Sequence, residues 1–212
     1  MSRPKNWPET VGYLSAPWHC RSLSSTQIKE LGTKPPSAES MERLPASATQ
    51  TPCPLVRIQV IEDEQHPAHG QRGLFAARDL KPGSFVVAYL GRVHDGGPQG
   101  TTDAESDYDL WLDRDKGLAV DAARAGNEAR FVNDYRGVRP RPNAQFGTAW
   151  SERWGQLCVG FWVMPGAKGK KSEGIRKGQE ILVSYGKGFW EKRQAQEEED
   201  KEGGEEDKEG GC

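Results

Sequence analysis

Long hydrophobic runs are missing from this 212-residue sequence, and so are closely spaced cysteines. No apolar stretch approaches the ~18 residues needed to cross a bilayer. The N-terminus, MSRPKNWPET, has none of the continuous apolar block of a secretory signal. These absences predict a soluble, intracellular protein. The four cysteines, Cys20, Cys53, Cys158 and Cys212, form no CxxC pair, so neither a zinc knuckle nor a disulfide framework is spelled out and reduced thiols are expected. Hydrophobic residues are also scarce, at 34% against 28% charged, which is lean for a core running the full length and points to one domain with tails. Strong net charge is lacking as well, the formal value being −2. That balance hides an asymmetry: Glu191–Cys212 holds ten acidic and four basic residues, which leaves residues 1–190 at +4. So mild a positive charge is a weak case for nucleic acid, and neither direct nucleic-acid binding nor membrane contact is expected.

What is present falls into three parts. Residues 1–54 are rich in Pro and Ser and show no period of two or 3.6, which predicts a largely irregular, loosely ordered arm. Trp7, Tyr13 and Trp18 stand out in it, either as anchors that dock on a domain or as a recognition element. Residues 55–190 have a different texture, of short apolar runs punctuated by Gly and Pro. LVRIQVIED alternates as a half-buried strand does, HPAHGQRG supplies turn residues, and Lys81-Pro82-Gly83 turns the chain into a strand at Phe85–Leu90. Asp95–Asp103 reads as a loop, Tyr108–Leu112 and Gly117–Val120 as strands, and Ala122–Ala129 as briefly helical. Gly137–Asn143 is broken by prolines, whereas Leu157–Met164 is apolar enough for a strand buried on both faces. PGAKGKKSEG reads as an exposed basic loop, and a last strand is expected at Ile181–Val183. Residues 191–212 have nothing to bury and read as an acidic, Gly-rich disordered tail. The fold class is mostly β.

Three stretches carry chemistry. In GNEARFVNDYR (Gly126–Arg136), an Asn-Asp pair follows the apolar step Phe131-Val132, which places a polar site at the end of a buried segment. In GQRG (Gly70–Gly73), glycine allows backbone to approach a ligand closely, although a plain turn is the better explanation of this stretch alone. In GQEILVSYG (Gly178–Gly186), a strand delivers Tyr185 just before a glycine.

Taken together, QRGLFAARDLKPG, VDAARAGN followed by ARFVND and Pro142-Asn143, and GQEILVSYG resemble the SET-domain protein lysine methyltransferases over roughly Val56–Trp190. The resemblance implies a SET fold of short strands in several small sheets, with a knot-like crossing and few short helices. It also implies S-adenosyl-L-methionine as cofactor and a protein substrate with an exposed lysine, histone or non-histone. Tyr185 stands at the catalytic tyrosine. Arg72, Gly73, Arg130, Asn133, Asp134 and Trp190 stand where relatives hold the cofactor, and Tyr108, Phe146 and Val183 where they line the lysine channel. No metal is implied, since the zinc-binding cysteine clusters that flank many relatives have no counterpart. Gln71 takes the place of the family's first glycine and Asp134 that of its histidine. A catalytically inactive peptide-binding module is therefore the alternative. Trp111 and Trp150 have no family role and are expected to pack. A nuclear location follows from histone substrates, a cytoplasmic one from others.

Overall fold

The computed structural model describes residues 3–34, 36, 41–96, 106–166, 173–187 and 189–190. The acidic tail at 191–212, most of the loop expected at Asp95–Asp103 and most of the basic loop near 165–174 lie outside them. In chain order the elements are β1 (Gly12–Tyr13), β2 (Trp18–His19), α1 (Ser25–Leu31), β3 (Arg43–Leu44), β4 (Val56–Val60), β5 (Arg72–Ala76), β6 (Phe85–Tyr89) and β7 (Arg92–Asp95). They continue with β8 (Asp109–Asp113), β9 (Leu118–Asp121), β10 (Ala125–Gly126), a 3-10 turn (Glu128–Phe131), β11 (Asn133–Asp134), β12 (Ala144–Ser151), β13 (Gln156–Val163) and β14 (Leu182–Val183).

These strands form small sheets, as the sequence predicts. One has the order β3-β12-β13-β6, another β2-β7-β9-β8, and three are two-stranded: β4-β5, β1-β10 and β11-β14. The alternation in β4 is realised, with Val56 and Ile58 inward and Arg57 outward. β13 is buried at every residue because β12 and β6 flank it and the core covers it, which is why it reads as an unbroken apolar run. Trp150 is buried in β12, as expected of a packing residue.

The arm differs most from its sequence reading. Trp7 is buried, with its ring edge-on to Tyr13 at 5.0 Å and Phe131 at 5.5 Å, and its indole N–H donates to the Val11 carbonyl at 2.7 Å. β1 pairs in parallel with β10, β2 with β7, and β3 with β12. Leu23, Leu31, Leu44 and Cys53 join the buried set. The anchor alternative for Trp7 and Tyr13 is thus the one the packing matches, whereas Trp18 is 52% exposed. α1 is held by a reciprocal capping box in which the Gln27 backbone N–H donates to Ser24 Oγ and the Ser24 N–H to Gln27 Oε1. The Gln27 amide then reaches Asp95 Oδ1 and the Gly117 carbonyl, both at 3.1 Å, fixing the helix to the β7–β9 edge.

Two buried polar side chains tie these layers to the segment before Asn133. Asn127 accepts from the Leu90 N–H at 3.0 Å and donates to the Ala88 carbonyl at 2.8 Å, so it satisfies the end of β6 as another strand would. Glu128 accepts from the Cys53 N–H at 2.9 Å and the Tyr13 hydroxyl at 3.2 Å, clamping the arm to the 3-10 turn. Burial raises the pKa of this carboxyl, and its own backbone N–H together with those two donors offsets the penalty only in part. The helix expected at Ala122–Ala129 is absent. Ala125 and Gly126 instead pair with β1, and the turn at Glu128 is too short to be more than 3-10.

Candidate active site

The 3-10 turn ends at Phe131, and Val132 leads into β11, which runs parallel to β14 with Asn133 opposite Leu182 and Asp134 opposite Val183. Such short parallel pairing between residues ~50 apart needs support, because two ladder residues gain little against loop closure. Asn143 provides it. Its side chain accepts from the Leu182 N–H and donates to the Glu180 carbonyl, both at 2.8 Å, while its N–H bonds to the Leu182 carbonyl at 3.0 Å. The Tyr135 N–H adds a bond to the Val183 carbonyl at 2.9 Å. Segments 133–143 and 180–185 are thereby locked side by side.

At the C-terminal end of β14, Tyr185 projects into a cavity of about 870 Å3 that Tyr108, Phe146, Val183 and Arg130 also line. Its hydroxyl donates to the Val132 carbonyl at 2.8 Å. With its proton committed there, the oxygen can only accept from anything else that enters. Burial, followed by the negative charge of Asp134 and further acidic groups, holds the phenol's pKa well above its usual value, so Tyr185 stays protonated and is no base. Tyr89, also on the cavity wall, donates its hydroxyl to the Tyr108 carbonyl at 2.7 Å and fixes the start of the opposite wall. Arg130 is part of the wall rather than a free cation. Its Nε and Nη2 donate to the carbonyls of Ala122 and Ala123 at 3.0 and 3.3 Å, and its guanidinium lies 4.2 Å from the centre of the Tyr108 ring.

Behind Tyr185 lies a second cluster. Glu180 accepts from the Asn133 amide at 2.9 Å on Oε1 and bonds His66 Nε2 at 3.0 Å on Oε2. His66 Nδ1 takes the Ala68 N–H at 3.0 Å, which leaves Nε2 as the donor to Glu180. Asn133 Nδ2 also approaches the Arg72 carbonyl at 3.4 Å, and Arg72 Nε donates to the Asn6 carbonyl at 2.9 Å. Gly73 is required here by space: a Cβ would stand 2.5 Å from Glu180 Oε1. Asp134 is buried, and its Oδ1 accepts from the Arg136 N–H at 2.8 Å. Its Oδ2 accepts from the Tyr185 N–H at 2.7 Å and the Trp190 indole at 3.4 Å.

The structure therefore sorts the expected site residues into two groups. Tyr185, Tyr108, Phe146, Val183 and Arg130 face one cavity. Arg72, Gly73, Asn133, Asp134 and Trp190 are not among its described lining residues, and the side chains of Arg72, Asn133, Asp134 and Trp190 meet protein partners. Sequence reasoning missed Asp109 and Trp111 as cavity residues, and His66 and His94 as buried partners. Trp111, expected to pack, is 42% exposed at the cavity rim. A period-2 reading of the edge strand β8 could have put its side chain there. Nothing local marks the two histidines, whose acids lie 114 and 15 residues away. The thiols of Cys53 and Cys158 are buried and pushed up to about 11 and about 12, which makes them poor nucleophiles.

Short strands in several small sheets with one short helix among the described residues are consistent with a SET fold, and the SET domain family model matches residues 71–186. The chain belongs to the SET domain family. The histone-lysine N-methyltransferase ASHH2 of Arabidopsis thaliana is 26% identical over 121 residues, which is 53% of this chain and 6% of that protein's length. A solved polycomb repressive complex 2 of Chaetomium thermophilum is 24% identical over 62% of this chain and 15% of that one, with a TM-score of 0.45. Another solved structure, ctPRC2 in an autoinhibited conformation bound to S-adenosylmethionine, is 24% identical over 61% of this chain and 15% of that one, with a TM-score of 0.44.

Proposed function

We propose that the chain is an S-adenosyl-L-methionine-dependent protein-lysine N-methyltransferase, with Tyr185 as the catalytic residue. The observation that carries the proposal is the Tyr185 hydroxyl in an aromatic cavity, its proton on the Val132 carbonyl and its oxygen restricted to accepting. Such an oxygen orients a neutral amine through that amine's own N–H groups. It also attracts the weakly positive C–H groups of a methyl next to a sulfonium. The cofactor would supply an electrophilic methyl on positive sulfur, which leaves as a neutral thioether once the lysine nitrogen has taken the methyl.

The residues present fit that cation. Asp134, Asp107 and Glu180 all place negative potential at Tyr185, which favours a sulfonium nearby. Gly186 lines the cavity, and a Cβ there would meet nothing within 4 Å, so the backbone offers room beside the tyrosine. Arg72, Gly73, Asn133 and Asp134 would hold the cofactor largely through the backbone they shape, and Arg130 and Trp190 through the surfaces of their planar groups.

The lysine itself must arrive neutral. From an unperturbed pKa of ~10.4 that costs about 4.6 kcal/mol at pH 7, and desolvation among Tyr108, Phe146, Phe161 and Val183 lowers it. Alignment by the same walls adds to this, since orientation alone is worth roughly 7–11 kcal/mol. Phe146 and Val183 set how much space remains around the nitrogen, and hence how many methyl groups it accepts. Histones are the substrates to try first, by likeness to the Arabidopsis relative, and a nuclear location accompanies that choice.

The competing reading is an inactive peptide-binding module, favoured by one observation: the Asn133 and Asp134 side chains are already engaged by protein donors and acceptors. Calorimetry with S-adenosylmethionine decides between them. Micromolar binding that Asn133→Ala weakens supports the enzyme, and a folded chain that binds no cofactor sinks the enzyme reading and moves the module to the front.

A further inference from the structure

Asp134 occupies a position where the resemblance leads one to expect histidine, and a carboxylate there does something an imidazole cannot. It accepts four contacts from three residues. Oδ1 takes the Arg136 N–H, and Oδ2 takes the Tyr185 N–H at 2.7 Å, the Trp190 indole N–H at 3.4 Å and the Arg136 guanidinium at 3.6 Å. The grip is uneven. The Tyr185 bond is short, whereas the contacts to Trp190 and Arg136 Nη1 are long, and Nη1 is buried with no hydrogen-bond partner. Arg136 also lies 5.2 Å from the centre of the Trp190 ring, and Phe189 stands edge-on between Trp190 at 5.4 Å and Tyr185 at 4.8 Å. The chain enters this aromatic segment through Gly186, whose φ of 89° is open to glycine and costly for other residues.

We infer that Asp134 is a positioning residue whose carboxylate fastens the Tyr185 backbone and the Phe189–Trp190 segment to one point, so that placing the tyrosine hydroxyl and holding the aromatic segment at the cavity depend on the same carboxylate. This rests on the methyltransferase reading for its use in catalysis but not for its geometry. A small movement of Trp190 and Arg136 toward Oδ2 turns two long contacts into charge-assisted hydrogen bonds. Phe189, which lines the cavity, travels with them. The aromatic segment and the catalytic residue are thus coupled through an oxygen that neither the cofactor nor the lysine needs to touch.

Amide hydrogen exchange of the full chain tests this, read over residues 182–190 by mass spectrometry, with and without saturating S-adenosylmethionine, using β13 as internal reference. In Asp134→Asn the Tyr185 amide exchanges about tenfold faster or more, the size of one lost bond to a charged group. Added cofactor no longer protects residues 189–190 in that variant. Trp190→Phe, which removes the indole N–H together with part of the ring, leaves Tyr185 protected and accelerates its own segment. This second variant keeps the test alive if Asp134→Asn unfolds. Equal Tyr185 protection in the parent and Asp134→Asn overturns the inference, as does loss of Tyr185 protection in Trp190→Phe. A chain that shows the expected exchange without cofactor, yet binds no S-adenosylmethionine, keeps the fastening and overturns the methyltransferase reading instead.

Discussion

The two sides of Tyr185 are built on opposite terms. Behind it, Asn133, Asn143, Glu180 and His66 pair their side chains with one another or with backbone, and Gly73 has no room for even a methyl. In front of it, Tyr108, Phe146 and Trp111 leave an open, largely aromatic cavity. The contrast separates holding from doing. A hydroxyl is placed accurately when its own backbone is locked by a satisfied network, and it reacts when the space before it is left unfilled.

The largest effect should come from the boundary itself. Tyr185→Phe leaves the fold intact apart from one hydrogen bond, and methyl transfer falls by roughly 100-fold or more, the usual size for a removed transition-state contact. A radiolabel assay on a core-histone mixture reads it, and an unchanged rate would remove Tyr185 from the mechanism. On the packed side, Glu180→Ala strands the Asn133 amide and the His66 N–H and costs about 3 kcal/mol, measured as a lower urea midpoint at constant slope. Gly73→Ala drives a Cβ into Glu180 Oε1 and costs ~1–3 kcal/mol in the same experiment. If either change proved neutral, the rear cluster would be looser than its geometry indicates.

The cavity wall gives a pH-dependent test. His94 is fully buried, and its two ring nitrogens face Asp109 Oδ1 at 2.9 Å and the Asp95 carbonyl at 3.0 Å. Burial disfavours its charge, but these acceptors outweigh it and the pKa is raised. A raised folded-state pKa gives stability that is full below the unfolded value of ~6.5 and is lost as pH rises through the folded value. His94→Gln should therefore narrow the stability gap between pH 5.5 and pH 9 relative to the parent. An unchanged gap would show that the pair does not titrate as a unit. The smallest expected effect is at Phe146, where Phe146→Ala enlarges the cavity and shifts the product toward more methyl groups per lysine, read by mass spectrometry.

The motif residues of the cavity and of the rear cluster were legible because each sits in a local grammar of turn, glycine and short strand. The strand at 157–164 was legible because a doubly covered strand shows its burial in every residue. The pairings β1–β10 and β11–β14 were not, since two-residue parallel strands leave no period in a sequence. The docking of Trp7, Leu23 and Leu44 stayed hidden for the related reason that an irregular segment packs residue by residue, without a repeating face. α1 did leave a signal, the Ser24 and Gln27 spacing of a capping box, which the surrounding Pro and Ser obscured. Nor could the sequence show that the Asn133 and Asp134 side chains turn inward, because all their hydrogen-bond partners but the Arg136 N–H lie 47 to 61 residues away.

The clamp at Glu128 bears on modularity. A boundary drawn at residue 54 separates two compositions, but a chain cut there would lose the Tyr13 hydroxyl and the Cys53 N–H that face this carboxyl, along with the strand beside Ala125–Gly126. A buried acid would be left with only its own backbone N–H as donor, four residues before Val132, whose carbonyl accepts from the Tyr185 hydroxyl. Any graft of this domain into another protein has to carry the arm with it. The transferable unit is therefore larger than the family match and reaches back to the buried Trp7 and to Asn6, whose amide donates to the Ile58 carbonyl.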